Sequence, residues 1–418
     1  MILEKYSIGV GDRFVREGAA QLRALQMVEK AGATVVPVWN KSNREHVIIG
    51  TVPDSVRTEA DAAVKTCGWK HSYYVDADHI GLATVDRFVA SSNFFTIDVA
   101  DFIGKPTSPE NIDAFVSSMM GYIGKLSIPG IDRQLDVSKE FLRSVGEKYL
   151  YAIEQAGAVY RHIAAAKGVG NFVPEVSADE TNAPQTPAEL FFILAAVARE
   201  GIPIQTIAPK FTGSFLKGVD YVGSVNQFKQ EFEDDLAVIK FAIERFSLPK
   251  NLKLSVHSGS DKFSLYPIIH RALKKFDAGI HLKTAGTTWL EEVIGLAAAG
   301  GEALQVAKEV YAASYDRYDE LCKPYLTVID IDRAALPTPK AVSGWTSEEF
   351  LQAIRHDQSC KNFDRNLRQL IHVGYKVAAE MGNRFTDLLD RHSEIIGQNV
   401  TDNIYRRHLV PLFLGSVD

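Results

Sequence analysis

The chain has 418 residues, a net charge of −6 and 46% hydrophobic residues, a composition typical of a globular enzyme. No block of Lys and Arg stands out, so the charge pattern argues against a nucleic-acid partner. The longest apolar run, residues 190–198, is less than half of the ~20 residues that cross a bilayer, so no membrane span is expected.

The first residues and the cysteines predict the cellular compartment. Residues 1–6 lack the basic segment and the long apolar core of a signal peptide. Cys67, Cys322 and Cys360 lie far apart and form no CxxC motif, as expected for free thiols in a reducing cytosol. We therefore expect a cytoplasmic protein, and the sequence leaves a homo-oligomer open.

Apolar runs and amphipathic stretches alternate along most of the chain. Before them, Gly9–Phe14 is either a surface turn or a loop that closes over a barrel mouth, and residues 17–31 form an amphipathic helix. The runs that predict strands are residues 34–39, 46–50, 72–81, 93–99, 172–180, 204–210, 252–262, 279–286 and 325–331.

Nine strand candidates are one more than an eight-stranded barrel needs, so one of 34–39, 46–50 and 325–331 should be peripheral. Residues 107–168 show no strand pattern and predict a helical insertion. Residues 340–418 predict a helical C-terminal extension. The expected fold is an α/β, TIM-type (β/α)8 barrel formed by residues 1–418 as one domain.

Polar residues follow several predicted strands, where parallel-strand enzymes keep their chemistry. His79, His257 and His281 each stand where a strand runs into a polar loop, and Glu175 occupies an equivalent place. One such histidine is usually a hydrogen-bonding group, but three of them with carboxylates favour a divalent transition metal.

The segment from Asp76 to His79 contains three titratable groups. Alternation in an extended strand would put Asp76 and Asp78 on one face and turn His79 away. Either the two carboxylates share the site, or the strand has ended and His79 turns inward. The sequence alone leaves both arrangements open.

Lys210 and Lys283 also stand at strand ends. They would bind a substrate carboxylate as point charges, or one of them would form a Schiff base with a ketone. A third interpretation is an ion pair with a neighbouring aspartate. Coulombic binding of an anionic substrate is the interpretation that we favour, because barrel mouths are wet.

The loops after the last two predicted barrel strands carry small polar residues. Ser258, Ser260, Asp261 and Lys262 suit a polyol or carboxylate ligand, although such residues also form plain turns. Thr284 precedes Gly286, Thr287 and Thr288, which would cap the next helix and offer its N-terminal N–H groups to an anion.

Several blocks resemble one enzyme family. The chain is similar, over nearly its whole length, to the tagaturonate/fructuronate epimerases of bacterial hexuronate catabolism. The blocks that carry the resemblance are Gly9–Phe14, Pro37–His46, Tyr74–His79, His257–Phe263, His281–Thr287 and Tyr405–Phe413.

The resemblance implies a metal-dependent epimerase that interconverts D-tagaturonate and D-fructuronate, two keto-uronates that differ at C4. Because C4 is β to the C2 ketone, enolisation cannot invert it, whereas a retro-aldol cleavage of C3–C4 followed by re-addition can. Transient oxidation at C4 would need a nicotinamide, and no GxGxxG motif follows a predicted strand.

The residues at strand ends are assigned to this chemistry as a hypothesis. The predicted metal ligands of a divalent Zn, Mn, Co or Ni ion are Glu175, His257, His281 and, as a fourth, His79. Asp78 is the predicted base, and Lys283 with Lys210 or Lys262 is the predicted carboxylate clamp. Ser258, Ser260, Asp261 and Thr284 complete the predicted substrate site.

Two other functions remain open at this stage. A class II-type aldolase or a keto-aldose isomerase for sugar acids would use the same barrel, and product analysis separates them from an epimerase. A non-catalytic sugar-acid binding protein is the alternative from another class, although it would need neither a metal nor a base.

Overall fold

The computed structural model describes residues 1–179, 181, 183–284 and 286–415. Glu180, at the end of one predicted strand, lies outside the described residues. Eight parallel strands close into a barrel, in which each strand pairs with its neighbours in chain order. The barrel strands are β1 (Tyr6–Val10), β2 (Val36–Ser42), β3 (Tyr74–Ile80), β4 (Phe94–Asp98), β7 (Val173–Ser177), β8 (Thr206–Ala208), β9 (Lys253–Val256) and β10 (Ile280–Thr284), and a hairpin adds β5 (Gly124–Leu126) and β6 (Leu135–Val137).

Helices surround this barrel and form most of the described C-terminal part, which confirms the predicted TIM-type architecture. The helices are α1 (Gly18–Lys30), α2 (Asn43–Ile49), α3 (Asp54–Cys67), α4 (Pro109–Met119), α5 (Lys139–Lys167), α6 (Pro187–Arg199), α7 (Val225–Phe246), α8 (Tyr266–Phe276), α9 (Thr287–Ala299), α10 (Gly301–Asp316), α11 (Tyr318–Cys322), α12 (Pro339–Ser343), α13 (Ser347–Ile354), α14 (Arg365–Val373), α15 (Tyr375–Glu380), α16 (Asn383–Arg391) and α17 (Ser393–Asp402). A π-helix, Asn403–Leu414, follows α17, and 3-10 turns occupy Val85–Arg87, Ala100–Phe102, Met120–Tyr122, Lys323–Tyr325 and Arg333–Ala335. Within the described residues, no helix is both long and apolar enough to span a membrane.

The sequence prediction of the strands was wrong at three places. Residues 46–50 lie in or directly after α2, because Ser42 and Glu45 form a capping box that starts a helix there. Residues 325–331 contain no strand. The first barrel strand is instead β1, which the sequence hides because its inward residues are Ser7 and Gly9.

A glycine is required at position 9 because β10 passes close to the backbone of β1 there. A Cβ atom at this position would lie 3.0 Å from the Cα atom of Lys283 and 3.2 Å from its Cγ atom. A larger residue would push the side chain of Lys283 aside, so the polar, small pattern of β1 reflects close strand packing.

The inside of the barrel is divided into an apolar and a polar layer. Near the starts of the strands, six buried side chains form a separate apolar cluster: Leu3, Val36, Val38, Tyr74, Phe94 and Val173. Toward the strand ends the inward residues are polar, among them Asp76, Thr96, Glu175 and Lys283. The strand ends therefore form a polar floor at the mouth of the barrel.

The region predicted as a helical insertion contains α4, α5 and also the β5–β6 hairpin, which the sequence did not indicate. The helices of residues 340–415 pack on α9 and α10, on α1 and on α8. Describing residues 107–168 as an insertion and 340–418 as an extension remains a prediction, because both contribute to the same buried apolar cluster.

A buried ion pair ties the C-terminal helices to the loop after β9. Arg368 donates from Nη2 to Asp261 Oδ2 at 2.7 Å, and both side chains are almost completely buried. Burial would raise the pKa of Asp261, but the guanidinium of Arg368 holds it well below its usual range. Arg368 also donates to the carbonyl oxygens of Gly218 and Ile354.

Replacing Arg368 by Leu should lower the free energy of unfolding by about 3–5 kcal/mol, because it leaves Asp261 as an unpaired buried charge. Urea denaturation at pH 7 measures this loss. Arg365→Leu is the matched control: its pair with Asp330 is exposed and should contribute less than about 1 kcal/mol. Equal effects of the two variants would contradict the anchoring role.

Candidate active site

Lys283 stands at the centre of the polar floor. Its Nζ atom lies 2.7 Å from Asp76 Oδ2, 2.7 Å from Asp78 Oδ1 and 3.2 Å from Glu175 Oε1, and it donates to Thr96 Oγ1. Thr96 Oγ1 lies 3.0 Å from Glu175 Oε1 and from both oxygens of Asp76. Four strands thus bring one ammonium, three carboxylates and the Thr96 hydroxyl together, because the carboxyl ends of parallel strands converge at one edge.

This environment sets the charges of the group. Burial would lower the pKa of Lys283, but Asp76, Asp78 and Glu175 raise it well above its usual value. Burial would raise the pKa of Asp78, and Lys283 lowers it to about 2. Burial raises the pKa of Asp76 to about 6 despite Lys283. Lys283 is therefore a cation at neutral pH, and Asp78 is a carboxylate.

A bulge in β3 resolves the alternatives left open for Asp76, Asp78 and His79. The register with β4 shifts between Ala77 and Ile80, and His79 has φ 53°, a left-handed value that is costly for a non-glycine residue. The bulge interrupts the alternation, so both aspartates contact Lys283 while His79 also turns toward the mouth.

His79, Asp179 and His257 form a group that could hold a metal ion: one ligand atom from each lies within 4.8 Å of the others. The rings of His79 and His257 stand edge to face, with centroids 5.1 Å apart. Asp179 Oδ1 lies 3.2 Å from His257 Nδ1. Two imidazoles and one carboxylate are a donor set that binds transition metals and leaves coordination positions open for substrate.

A second carboxylate orients each imidazole of this group. His79 Nδ1 lies 3.1 Å from Asp98 Oδ2, and His257 Nε2 lies 2.9 Å from Glu175 Oε1. Metal-binding histidines commonly use one ring nitrogen for the ion and hydrogen-bond the other to a carboxylate. The arrangement of the described residues fits a divalent cation on this ground as well.

The carboxylates raise the pKa values of both histidines. Burial would lower the pKa of His79, but Asp78, Asp98 and Asp179 raise it to about 10. Burial would also lower the pKa of His257, and Asp179 and Glu175 raise it. In the absence of a cation His79 is therefore protonated at neutral pH, and the raised pKa of His257 favours its protonated form.

His281, a predicted metal ligand, lies deeper in the barrel. Its Nδ1 atom is 2.9 Å from Ser7 Oγ, and its ring packs against Phe94 of the apolar layer. Burial lowers its pKa to about 3, so it is neutral. The structure brings His79 and His257 together with Asp179, whereas His281 is outside that group and Glu175 bonds to Lys283 and His257.

Two of the predicted clamp lysines contact the protein itself. Lys262 Nζ donates to the carbonyl oxygens of Ser260, Leu216 and Val219 at 2.7–2.9 Å, so none of its three N–H bonds is left for a substrate. Burial lowers the pKa of Lys262 to about 7. Lys210 is half-buried beside Asp179, with Nζ 3.5 Å from the Asp179 carbonyl oxygen.

The other predicted substrate residues have mainly local partners. Ser258 accepts a hydrogen bond from Lys217 Nζ at 2.9 Å, and both Ser258 and Asp261 have positive φ values, of 50° and 62°. Ser260 is buried, and its carbonyl oxygen accepts from Lys262. Thr284 donates to the Gly9 carbonyl oxygen, which fastens β10 to β1.

Two residues of the site were missed in the sequence, Asp179 and Thr96, and Asp98 is only a weaker candidate there. Asp179 and Asp98 do follow or end predicted strands, which is the signal that selected Glu175 and Asp78. Thr96 gives no such signal, because an inward threonine in an apolar strand resembles a packing residue. Its role depends on neighbours from three other strands.

Comparisons with known proteins place the chain in a family. Residues 1–410 match the profile of the tagaturonate epimerase family. A tagaturonate/fructuronate epimerase of Thermotoga maritima is 29% identical over 96% of this chain and 80% of its own length. Crystal structures of a fructuronate-tagaturonate epimerase from Cohnella laeviribosi, native and with one glycerol, superpose with TM-scores of 0.81 at 22% identity, over 99% of this chain and 82% of theirs.

The solved structures support the fold, and the family match extends over nearly the whole chain with its strand-end residues. Since the members of this family are epimerases, the chain is an enzyme of the isomerase class. The chain belongs to the tagaturonate epimerase family.

Proposed function

We propose that this enzyme interconverts D-tagaturonate and D-fructuronate by inverting C4 with the help of a divalent metal ion. The observation that carries the proposal is the group His79, Asp179 and His257, which lies beside Asp78 and Lys283 at the barrel mouth in a chain of this family.

The proposed reaction is a retro-aldol cleavage followed by re-addition. A base removes the proton of the C4 hydroxyl, the C3–C4 bond breaks, and its electron pair passes into the C2 carbonyl to give an enediolate. The C4 aldehyde then presents its other face, the C3–C4 bond forms again, and the C4 oxygen regains its proton. No atom or electron is lost, so no redox cofactor is needed.

Asp78 is our candidate for the base. Its side chain is about 10% exposed, whereas Asp76 and Glu175 are completely buried, so Asp78 is the carboxylate of the Lys283 cluster that a substrate can reach. His79 Nε2 lies 3.9 Å from Asp78 Oδ1. A divalent ion bound to His79, Asp179 and His257 would act as a Lewis acid for the ketone oxygen.

Lys283 serves as a positioning cation in this proposal. A Schiff base requires a neutral amine, but three carboxylates keep Lys283 charged. The same contacts occupy the N–H bonds of Lys283. They therefore argue against the role favoured from sequence, in which Lys283 binds the substrate carboxylate. Its ammonium keeps Asp78 ionised and directs the carboxylate toward the mouth.

Metal removal should abolish epimerisation, and this experiment also tests the function itself. NMR of D-tagaturonate should show D-fructuronate with enzyme reconstituted with Zn, Mn, Co or Ni, and no product after chelation. Release of three-carbon fragments would instead indicate an aldolase, and a shifted carbonyl an isomerase. Full turnover by metal-free enzyme would remove the ion from the scheme.

The ligand set is tested by metal content in the same preparations. Asp179→Asn and His257→Gln should bind less than about a tenth of the wild-type metal, because each removes one of three ligands. His281→Gln should keep its metal, since His281 contacts Ser7 below the site. Loss of metal from His281→Gln together with full metal in Asp179→Asn would restore the ligand set predicted from sequence.

Metal binding should release one to two protons near pH 7. The pKa of His79 is raised to about 10, so its ring carries a proton that a cation must displace, and the raised pKa of His257 favours a second one. The apparent affinity of the enzyme for the metal ion should consequently rise with pH. Calorimetric titration in buffers of different ionisation enthalpy counts the protons, and buffer-independent heats would contradict the assignment.

Lys283→Met should lower kcat by about 10²–10⁴, the usual contribution of a positioned base, because Asp78 loses the ammonium that keeps it ionised. It should also shift the acidic limb of the profile of kcat against pH to higher pH, since the pKa of Asp78 would rise. Borohydride added during turnover should leave the wild-type mass unchanged. A sugar-acid adduct on Lys283 would establish a Schiff base instead.

A further inference from the structure

A keto-hexuronate carries its carboxylate at C6, two carbons from C4, and two of the lysines expected to bind it are engaged elsewhere. Lys283 contacts three carboxylates, and Lys262 donates to three backbone carbonyls. Lys210 has one long contact, 3.5 Å from Nζ to the Asp179 carbonyl oxygen, and a second cation with an N–H bond still available lies near the mouth. The loop between β1 and α1 supplies one in Arg13.

The guanidinium of Arg13 is buried but incompletely paired. The residue is 5% exposed, and its Cζ atom lies over the ring of Tyr375, 4.3 Å from the ring centre. Nε lies 3.2 Å from Glu45 Oε1, while Nη1 is buried without a hydrogen-bond acceptor among the described residues. Such a donor is costly to bury unless a ligand or water accepts from it.

Nη1 of Arg13 points at the N-terminus of α9. A Cβ atom on Gly286, the residue that precedes α9, would lie 2.8 Å from Arg13 Nη1 and 2.9 Å from His372 Nδ1. Gly286 has φ 83°, and no side chain of the described residues caps this helix. The free N–H groups and positive dipole of a helix N-terminus favour an anion.

Two further polar atoms at this place also lack partners. His372 Nδ1 and Thr287 Oγ1 are buried and have no hydrogen-bond partner among the residues that the structure describes. Burial lowers the pKa of His372 well below its usual range, with Arg13 contributing. The neutral ring can donate one hydrogen bond, as can the threonine hydroxyl.

The loop that carries Arg13 is fixed in place. Asp12 accepts hydrogen bonds from the backbone N–H groups of residues 14–17 at 2.6–2.9 Å, and Lys41 Nζ donates to the Arg13 carbonyl oxygen at 2.6 Å. These bonds hold Val15 at φ 55°, a costly value for a β-branched residue. Arg13 is thus positioned before any ligand arrives.

We propose that Arg13, Thr287, His372 and the first turn of α9 form the subsite for the carboxylate of the sugar acid. This inference rests on the proposed function and adds the group that selects acids over neutral sugars. The guanidinium fork matches a carboxylate, and a helix N-terminus adds backbone donors. In the proposed reaction the carboxylate stays on the three-carbon aldehyde, so the subsite would also retain that fragment.

Arg13→Met should raise KM for D-tagaturonate about 10- to 100-fold, which is the usual contribution of a buried charged hydrogen bond, with a smaller change in kcat. Arg13→Lys should recover part of the loss. Arg16→Met is the matched control on the same loop, because Arg16 pairs with Asp390 at the surface. Its KM should equal that of the wild type.

Calorimetry with D-gluconate, a sugar acid without a ketone, separates binding from turnover. Wild type and Arg16→Met should bind gluconate, Arg13→Met should bind at least tenfold more weakly, and sorbitol should not distinguish the variants. Thr287→Val preserves the shape of the side chain but removes its hydroxyl, so it should weaken gluconate binding severalfold. This variant provides the test if Arg13→Met does not fold.

The outcomes distinguish this inference from the proposed function. A wild type that epimerises tagaturonate while Arg13→Met keeps its KM and gluconate affinity within twofold overturns the subsite alone. Absence of gluconate binding to the wild type overturns it as well. Gluconate binding that depends on Arg13 in an enzyme without epimerase activity supports the subsite and rejects the function.

Discussion

The ion cluster around Lys283 is the interaction on which the mouth of the barrel depends. One ammonium lies within 3.2 Å of three carboxylate groups from two other strands, almost fully removed from water. Removing such charges from water is costly, and good geometry with further hydrogen bonds is required to offset the cost. Thr96 supplies those bonds. The cluster therefore fixes Asp78 and Glu175, and through Glu175 it orients His257.

The rest of the fold supports this cluster from below and from the side. The apolar layer near the strand starts excludes water beneath Lys283, which strengthens every electrostatic contact above it. At the side, the Asp261–Arg368 pair fastens the loop after His257 to α14. The C-terminal helices thus stabilise the loop that follows β9, although they lie far from it in sequence.

Strained backbone is found next to the site. His79, Ser258, Asp261 and Val15 have positive φ values, and each belongs to a loop or bulge at the end of a barrel strand. Such values persist only where surrounding contacts overdetermine them, as the four N–H bonds to Asp12 do for Val15. The positions of His79 and Arg13 are therefore built into the fold before substrate binds, which lowers the ordering cost of binding.

The sequence by itself determined the barrel architecture and the edge where the polar residues meet, because hydrophobic periodicity and strand-end polarity are local patterns. It placed His79, His257, Asp78, Glu175 and Lys283 at that edge. Only the tertiary structure decided which partners these side chains have. It left His281 outside the group of His79, Asp179 and His257, added Asp179 and Thr96 to the mouth, and paired Asp261 and Lys262 with distant groups. The reason is physical: a buried charge is defined by neighbours from other strands and helices, and their distances are set by packing of the whole chain.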